Sequence, residues 1–73
     1  MSHLPRISGR ECRRALEAVG FVFDRQKGSH VTLVRKEPFA AVTIPDHREL
    51  DAGTLRAVIR GAGLSVDEFK RLL

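Results

Sequence analysis

Residues 21–45 read FVFDRQKGSHVTLVRKEPFAAVTIP, and apolar side chains alternate with polar or small ones along three parts of this segment. A period of two is typical of strands that bury one face. The alternating parts are Phe21–Asp24, His30–Arg35 and Ala41–Ile44. A short turn at Lys27-Gly28-Ser29 joins the first two, and Glu37-Pro38-Phe39 interrupts before the third, because proline cannot donate to a strand ladder. The segment therefore predicts a hairpin and a third strand that Pro45 closes.

The alternation also predicts which side chains face the core. One face of the sheet gathers the apolar residues, which are Phe21, Phe23, Val31, Leu33, Val42 and Ile44. Because successive side chains in a strand point to opposite faces, the other face receives His30, Thr32, Ala41 and Thr43. His30 is therefore expected on an open sheet face.

A helix is predicted before the three strands. Ser8 and Glu11 form a capping-box pattern, in which a serine hydroxyl caps the first turn and a glutamate reaches back. The helix that follows carries an apolar stripe at i, i+3, i+4 and i+7, formed by Cys12, Ala15, Leu16 and Val19. Gly20 is suited to end it, because glycine adopts the left-handed conformation without steric penalty.

Two further helices are predicted after the strands. Asp51 can cap the first of them. The apolar stripe of that helix has the same spacing and consists of Leu55, Val58, Ile59 and Ala62. Ser65 and Glu68 then repeat the capping-box pattern and open a short terminal helix. Its inward residues are Val66, Phe69 and Leu73. The sequence thus predicts one α+β domain over residues 1–73, ordered α-β-β-β-α, with a three-stranded antiparallel sheet and a short C-terminal helix.

The chain is basic, since 13 Lys and Arg oppose 9 Asp and Glu, which gives a formal net charge of +4 and a pI of about 10.2. This balance indicates an anionic partner, and nucleic acid is the first expectation. A membrane surface is the alternative, but the basic residues are spread over every segment rather than along one amphipathic face. The longest uncharged segment, 38–45, is far shorter than the ~20 residues of a membrane span. The lone Cys12 has no partner for an internal disulfide, which predicts a reducing cytoplasm.

The triplet Gly28-Ser29-His30 is the part of the sequence most suggestive of chemistry, because an imidazole at the mouth of a tight turn is accessible and transfers protons near neutral pH. An exposed strand histidine without a function is the alternative interpretation. Arg25 and Lys27 precede it and Arg35 and Lys36 follow its strand, so phosphates could be held on both sides. A solvated, charged hairpin is the alternative here. RNA is favoured over DNA because its 2′-hydroxyl is an internal nucleophile that a histidine can deprotonate without a metal.

His47 and Cys12 are two further candidates for chemistry. His47 could supply a general acid or a phosphate contact, or it could simply pair with a carboxylate or water. Cys12 lies on the apolar stripe of the first helix and is expected in the core. The histidines, Cys12 and Asp46 show no spacing typical of metal ligands, and no glycine-rich cofactor loop precedes a helix. We therefore predict neither a metal nor a cofactor.

Five short motifs in a fixed order resemble the HicA family, also called YcfA-like, of type II toxin-antitoxin toxins. They are Gly20-Phe21, Gln26-Lys27-Gly28-Ser29-His30, Val42-Thr43-Ile44-Pro45-Asp46-His47, Gly53-Thr54-Leu55-Arg56 and Ala62-Gly63-Leu64-Ser65. The resemblance covers nearly the whole chain from Ile7 onward. It implies a fold like that of double-stranded-RNA-binding domains, which agrees with the element order derived above.

The resemblance also implies an activity and a partner. Members are mRNA interferases, which are ribonucleases held inactive by a HicB antitoxin, so the toxin is expected as a monomer alone and as a hetero-oligomer with HicB. The catalytic histidine of the family carries over to His30, and Gly28 and Ser29 match the same motif. His47 matches a recurring Pro-x-His position whose role stays open. The RNA-binding residues expected with His30 are Arg25, Lys27, Gly28, Ser29, Arg35, Lys36 and His47.

Two alternatives from other classes remain at this point. The first is a non-catalytic module that binds duplex RNA by its shape, as this fold often does. The second is a protein-interaction domain whose basic surface binds an acidic partner.

Overall fold

The computed structural model describes residues 3–73 and, within them, places three helices and three strands. In chain order these are α1 (Gly9–Glu17), β1 (Val22–Lys27), β2 (His30–Lys36), β3 (Phe39–Pro45), α2 (Ala52–Gly61) and α3 (Val66–Lys70). The strands form one antiparallel sheet in the order β1-β2-β3. The predicted α+β class and element order are confirmed, although β1 and β3 are longer than the alternating parts of the sequence.

The helix starts follow the capping signals in the sequence. The Ser8 hydroxyl accepts from the backbone N–H of Glu11 at 3.0 Å, and the Glu11 carboxylate accepts from the backbone N–H of Ser8 at 3.0 Å. Ser65 and Glu68 form the same box at α3, and Asp51 caps α2. These hydrogen bonds lower the pKa of both glutamates and of Asp51, because they favour the charged carboxylate. The predicted starts of all three helices are confirmed.

Two glycines end the longer helices in the left-handed conformation, Gly20 with φ of +98° and Gly63 with φ of +77°. At the end of α1, the Gly20 N–H donates to Glu17 O and the Phe21 N–H donates to Leu16 O, both at 3.2 Å. This pattern satisfies carbonyls that the helix itself leaves unpaired, and it turns the chain toward β1.

Among the described residues, no helix combines the length and the apolar character needed to cross a bilayer.

The helices cover one face of the sheet and leave the other open. The buried core joins residues from every element except β1 and from the segments that flank the elements. Its members are Ile7, Cys12, Ala15, Leu16, Phe21, Val31, Leu33, Val42, Ile44, Leu50, Leu55, Val58, Ile59, Ala62 and Phe69. Five of the six sheet residues predicted to face the core are therefore buried. Helix α1 lies so close to the end of β3 that a side chain at Gly9 would collide with the carbonyl oxygen of Pro45.

The prediction that Phe23 and Leu73 lie in the core is wrong. Phe23 is 47% exposed and Leu73 is 54% exposed. Phe23 pairs with buried Leu33, so it does face the covered side, but β1 is an edge strand and the Phe23 ring lies at the rim of the core. The Arg13 guanidinium lies over that ring, 5.1 Å from its centroid. Leu73 follows the end of α3, and Leu72 takes the partly buried position instead.

Candidate functional site

The β1–β2 turn and the end of β3 meet at one end of the sheet, which we call the hairpin end. Lys27 pairs with His30, and His30 pairs on its other side with Pro45. The backbone N–H of Asp46 donates to the carbonyl of Ser29 at 2.6 Å, which holds the chain after β3 against the turn. His30 is thus the first residue of the central strand, between neighbours on both sides. The opposite end, which includes the β2–β3 turn, is the distal end.

A bulge in β1 decides which of its side chains share a face with His30. Phe23 and Arg25 are two residues apart, yet they pair with consecutive residues of β2, so Asp24 is the extra residue. Strict alternation from Phe23 would place Arg25 and Lys27 on the covered face. Because the bulge shifts the register by one residue, both cations lie on the open face instead.

Two rows of side chains therefore surround the imidazole on the open face. The first row is Lys27, His30 and Pro45, and the second is Arg25, Thr32 and Thr43. Directly opposite residues in antiparallel strands have Cβ atoms about 4.5–5.5 Å apart, so the Lys27 ammonium can reach an anion that contacts the His30 ring. The two threonine hydroxyls are 3.4 Å apart. Sequence alternation predicted both threonines on this face, but a threonine in a strand is too common to be singled out as a site residue.

The cations of this cluster remain accessible to an anion. Arg25 donates to the Asp24 carboxylate at 2.7 Å, but the Arg25 side chain is 72% exposed, and a surface ion pair of this kind contributes little. Lys27 and His30 are also exposed. A phosphate could therefore displace solvent from this end of the sheet without breaking a buried interaction.

The turn itself leaves room for a ligand backbone. Gly28 has φ of +59°, and a Cβ added there would meet no atom within 4 Å. The Gln26 amide donates to the Gly28 carbonyl at 3.0 Å and helps to fix the turn. Ser29 is exposed beside His30.

Two predicted RNA-binding residues lie away from the hairpin end. Arg35 pairs with Ala40 and faces the covered side, where its guanidinium lies 4.7 Å from the centroid of the Phe21 ring. It also donates to the carbonyls of Pro38 at 3.0 Å and Ala62 at 3.4 Å. These contacts hold the β2–β3 turn and the end of α2 against the core.

Lys36 does lie on the face of His30, but at the distal end. It is six residues along β2 from His30, about 20 Å at the strand rise of ~3.3 Å per residue. The structure therefore does not bring Arg35 or Lys36 to the imidazole.

His47 lies in the loop after β3, close to the hairpin end. Its backbone carbonyl accepts from the N–H of Gly9 at 2.9 Å, and its side chain is exposed. With Ser8, Arg10, Asp46 and Arg48 it lines a shallow cleft of about 350 Å³. His47 is thus brought near the site by the loop.

Cys12 and the possible metal ligands among residues 3–73 do not form a second reactive centre. Cys12 is buried, and desolvation raises the pKa of its thiol to about 12, so the reactive thiolate is disfavoured at neutral pH. Within residues 3–73, no group of three His, Cys, Asp or Glu side chains is arranged to hold a metal ion.

Comparison with known proteins identifies a family for this chain. The model of the family described as HicA toxin of bacterial toxin-antitoxin matches residues 9–64, which extend from the start of α1 past the end of α2 and include His30. A search of curated proteins found no match. The family match covers well over half of the 73 residues. The chain therefore belongs to the HicA toxin family.

Proposed function

We propose that this toxin is an endoribonuclease that cleaves mRNA without a metal and uses His30 as its catalytic base. The single observation that supports this proposal best is the first open-face row. In this row the exposed imidazole of His30 lies directly across the ladder from the ammonium of Lys27. The adjoining turn has no side chain at Gly28 and free space around it.

The proposed reaction uses the 2′-hydroxyl of the RNA as nucleophile. The imidazole of His30 takes the 2′-hydroxyl proton, the 2′-oxygen attacks the adjacent phosphorus, and the bond from phosphorus to the 5′-oxygen breaks. The 5′-oxygen takes up a proton from the imidazolium or from water. The products are a 2′,3′-cyclic phosphate and a 5′-hydroxyl. Lys27 and Arg25 hold the phosphate, and they stabilise the negative charge that its oxygens gain in the transition state.

The geometry supports a slow enzyme. A positioned general base contributes about 10²–10⁴-fold to the rate. The two open-face rows contain no second imidazole and no carboxylate to act as a matched acid. His47 is the nearest candidate for that role by its place in the chain, and we keep it as a proposed RNA contact together with Gly28 and Ser29.

The test compares His30→Ala with the unchanged protein on labelled single-stranded RNA in the presence of EDTA. We expect His30→Ala to lose cleavage by about 10²–10⁴-fold and to retain RNA binding, because the cations remain in place. The matched control is His3→Ala, which removes an exposed imidazole ahead of α1 and should leave cleavage unchanged. Full cleavage by His30→Ala would contradict the proposal.

The same experiment separates the enzyme from its main rival. Binding without cleavage by the unchanged protein, with the antitoxin absent, would indicate a non-catalytic module for double-stranded RNA. That alternative draws on the fold and on the open, basic sheet face.

Membership of a toxin family implies an antitoxin. We propose that this antitoxin is of the HicB type and acts on a single-domain toxin in the cytoplasm, where the toxin is monomeric until it is bound. Loss of growth arrest when the two proteins are expressed together, with restored cleavage after their separation, would support this partner.

A further inference from the structure

The covered side of the hairpin end contains a cleft that the proposed chemistry does not use. Its volume is about 230 Å³, and it lies between the start of α1 and the sheet. Its apolar lining consists of Pro45 and the almost fully buried Val31 and Ile44. Its polar lining consists of Arg10, Arg13, Gln26 and Asp46. It is thus the reverse side of the strand ends that carry Lys27 and His30.

We propose that this cleft binds an unpaired nucleobase of the RNA, next to the nucleotide whose phosphate lies at His30. The inference rests on the proposed ribonuclease function and adds a base-binding subsite to it. Single-stranded bases are typically bound by apolar or planar cationic surfaces together with a few hydrogen-bonding groups on their edges. The cleft offers these features in one place.

The size of the cleft and its polar groups favour a base over other ligands. Pockets for larger small molecules usually exceed about 300 Å³, so the observed volume suits one ring system better than a whole cofactor. Gln26 offers both a donor and an acceptor, and Asp46 offers acceptors. Arg10 and Arg13 can both donate to an RNA phosphate, because their ion pairs with Asp46 and Glu17 are exposed and contribute little.

The arginines are held in different ways. Arg13 donates to Glu17 at 3.0 Å and lies over the Phe23 ring, so its planar guanidinium is fixed at the rim. Arg10 contacts Asp46 at 3.4 Å but is 80% exposed, so it can turn toward a phosphate at little cost. This arrangement provides one fixed planar surface and one movable cation.

The two sides of the sheet are connected over the turn. Pro45 lines the cleft and is also the ladder partner of His30. Gln26 points to the cleft side while the next residue, Lys27, lies on the open face. A Cβ at Gly28 would meet no atom within 4 Å, so this position of the turn leaves space for an RNA strand that passes from one side to the other.

A single NMR signal pair tests the proposal directly. The chain has one glutamine, Gln26, and no asparagine, so its only side-chain amide signals arise from an exposed residue that lines the cleft. We expect a short single-stranded RNA added to the His30→Ala protein to shift these signals, together with the backbone amides of Val31 and Ile44. Shifts confined to Lys27, the turn and the open face would overturn the proposal. So would signals that move with the antitoxin protein and not with RNA.

Charge-matched variants of α1 provide the second readout. Arg10→Gln, Arg13→Gln and Arg14→Gln each remove one positive charge, but Arg14 is exposed and does not line the cleft. We expect the first two to weaken RNA binding roughly tenfold and Arg14→Gln to bind like the unchanged protein. Equal affinities for all three variants would overturn the proposal.

The outcomes distinguish the subsite from the chemistry. If the unchanged protein cleaves RNA, Gln26→Glu should alter which bases flank the cut, because the change replaces amide donors by carboxylate oxygens. An unchanged cleavage pattern with full activity would refute the subsite and leave the ribonuclease proposal standing. If nothing is cleaved, the ribonuclease proposal fails, and the binding and NMR results still decide the subsite.

Discussion

The two ends of the open sheet face belong to the same antiparallel ladder but carry different kinds of side chain. The hairpin end carries two cations, an imidazole and two hydroxyls, whereas the distal end carries Val22, Val34, Ala41, Phe39 and a single cation, Lys36. Phe39 is 73% exposed and Val22 is 59% exposed. Burial therefore does not separate the two ends, since both meet solvent.

The difference indicates that the position of a side chain along the ladder decides its chemical neighbours, which the overall composition of the chain does not. The whole chain carries a net charge of +4, but only at the hairpin end does the register bring a cation directly beside a proton-transferring group. We therefore expect chemistry at the hairpin end and not at the distal end.

The first prediction moves the imidazole between the ends. The double variant His30→Val with Val34→His keeps one histidine on the open face and keeps all cations in place. We expect cleavage to fall by about 10²–10⁴-fold, as in His30→Ala, because the moved ring no longer faces Lys27. Labelled-RNA cleavage gives the activity, and thermal unfolding checks that both proteins fold. Retained activity would mean that any imidazole on this face is sufficient.

The second prediction compares the two lysines of the open face. Lys27→Ala should lower kcat/KM by about 10- to 100-fold, because it removes a cation beside the reacting phosphate. Lys36→Ala should have a smaller effect that depends on RNA length, since RNA too short to span the ~20 Å from His30 cannot touch it. Kinetics with short and long RNA measure this dependence. Equal losses with the shortest RNA would contradict the assignment of the two ends.

Much of the fold could be predicted from the sequence because its signals are local. The serine and aspartate caps, the left-handed glycines and the alternation in β2 each depend on a few neighbouring residues, and all are observed. The place of His30 on the open face follows from the same alternation. These features need no knowledge of how distant segments pack.

The sequence-based predictions fail where the packing or the register of a residue depends on segments far away in the chain. Phe23 has the pattern of a core residue, but only the sheet order reveals that it lies on an edge strand. Arg35 looks like any other cation near the site, and its stacking on Phe21 depends on the fold of the whole chain. The bulge is also invisible in the sequence, because the segment from Phe23 to Lys27 contains no glycine or proline to mark it.

The last prediction tests whether the bulge acts only by setting the register. Deleting Asp24 removes the extra residue, so Phe23 and Arg25 become adjacent and the present pairs with β2 form a regular ladder. Arg25 and Lys27 then stay on the open face, and the deletion removes the exposed ion pair between Asp24 and Arg25. We expect cleavage to stay within about threefold of the unchanged protein and the folded state to persist. As a control, an alanine inserted after Arg25 lies in the regular part of the ladder and should turn Lys27 toward the covered face, with a loss similar to that of Lys27→Ala. If the deletion variant folds but loses activity as the insertion variant does, the bulge must shape the site beyond its register, and the two-row description of the hairpin end would be wrong.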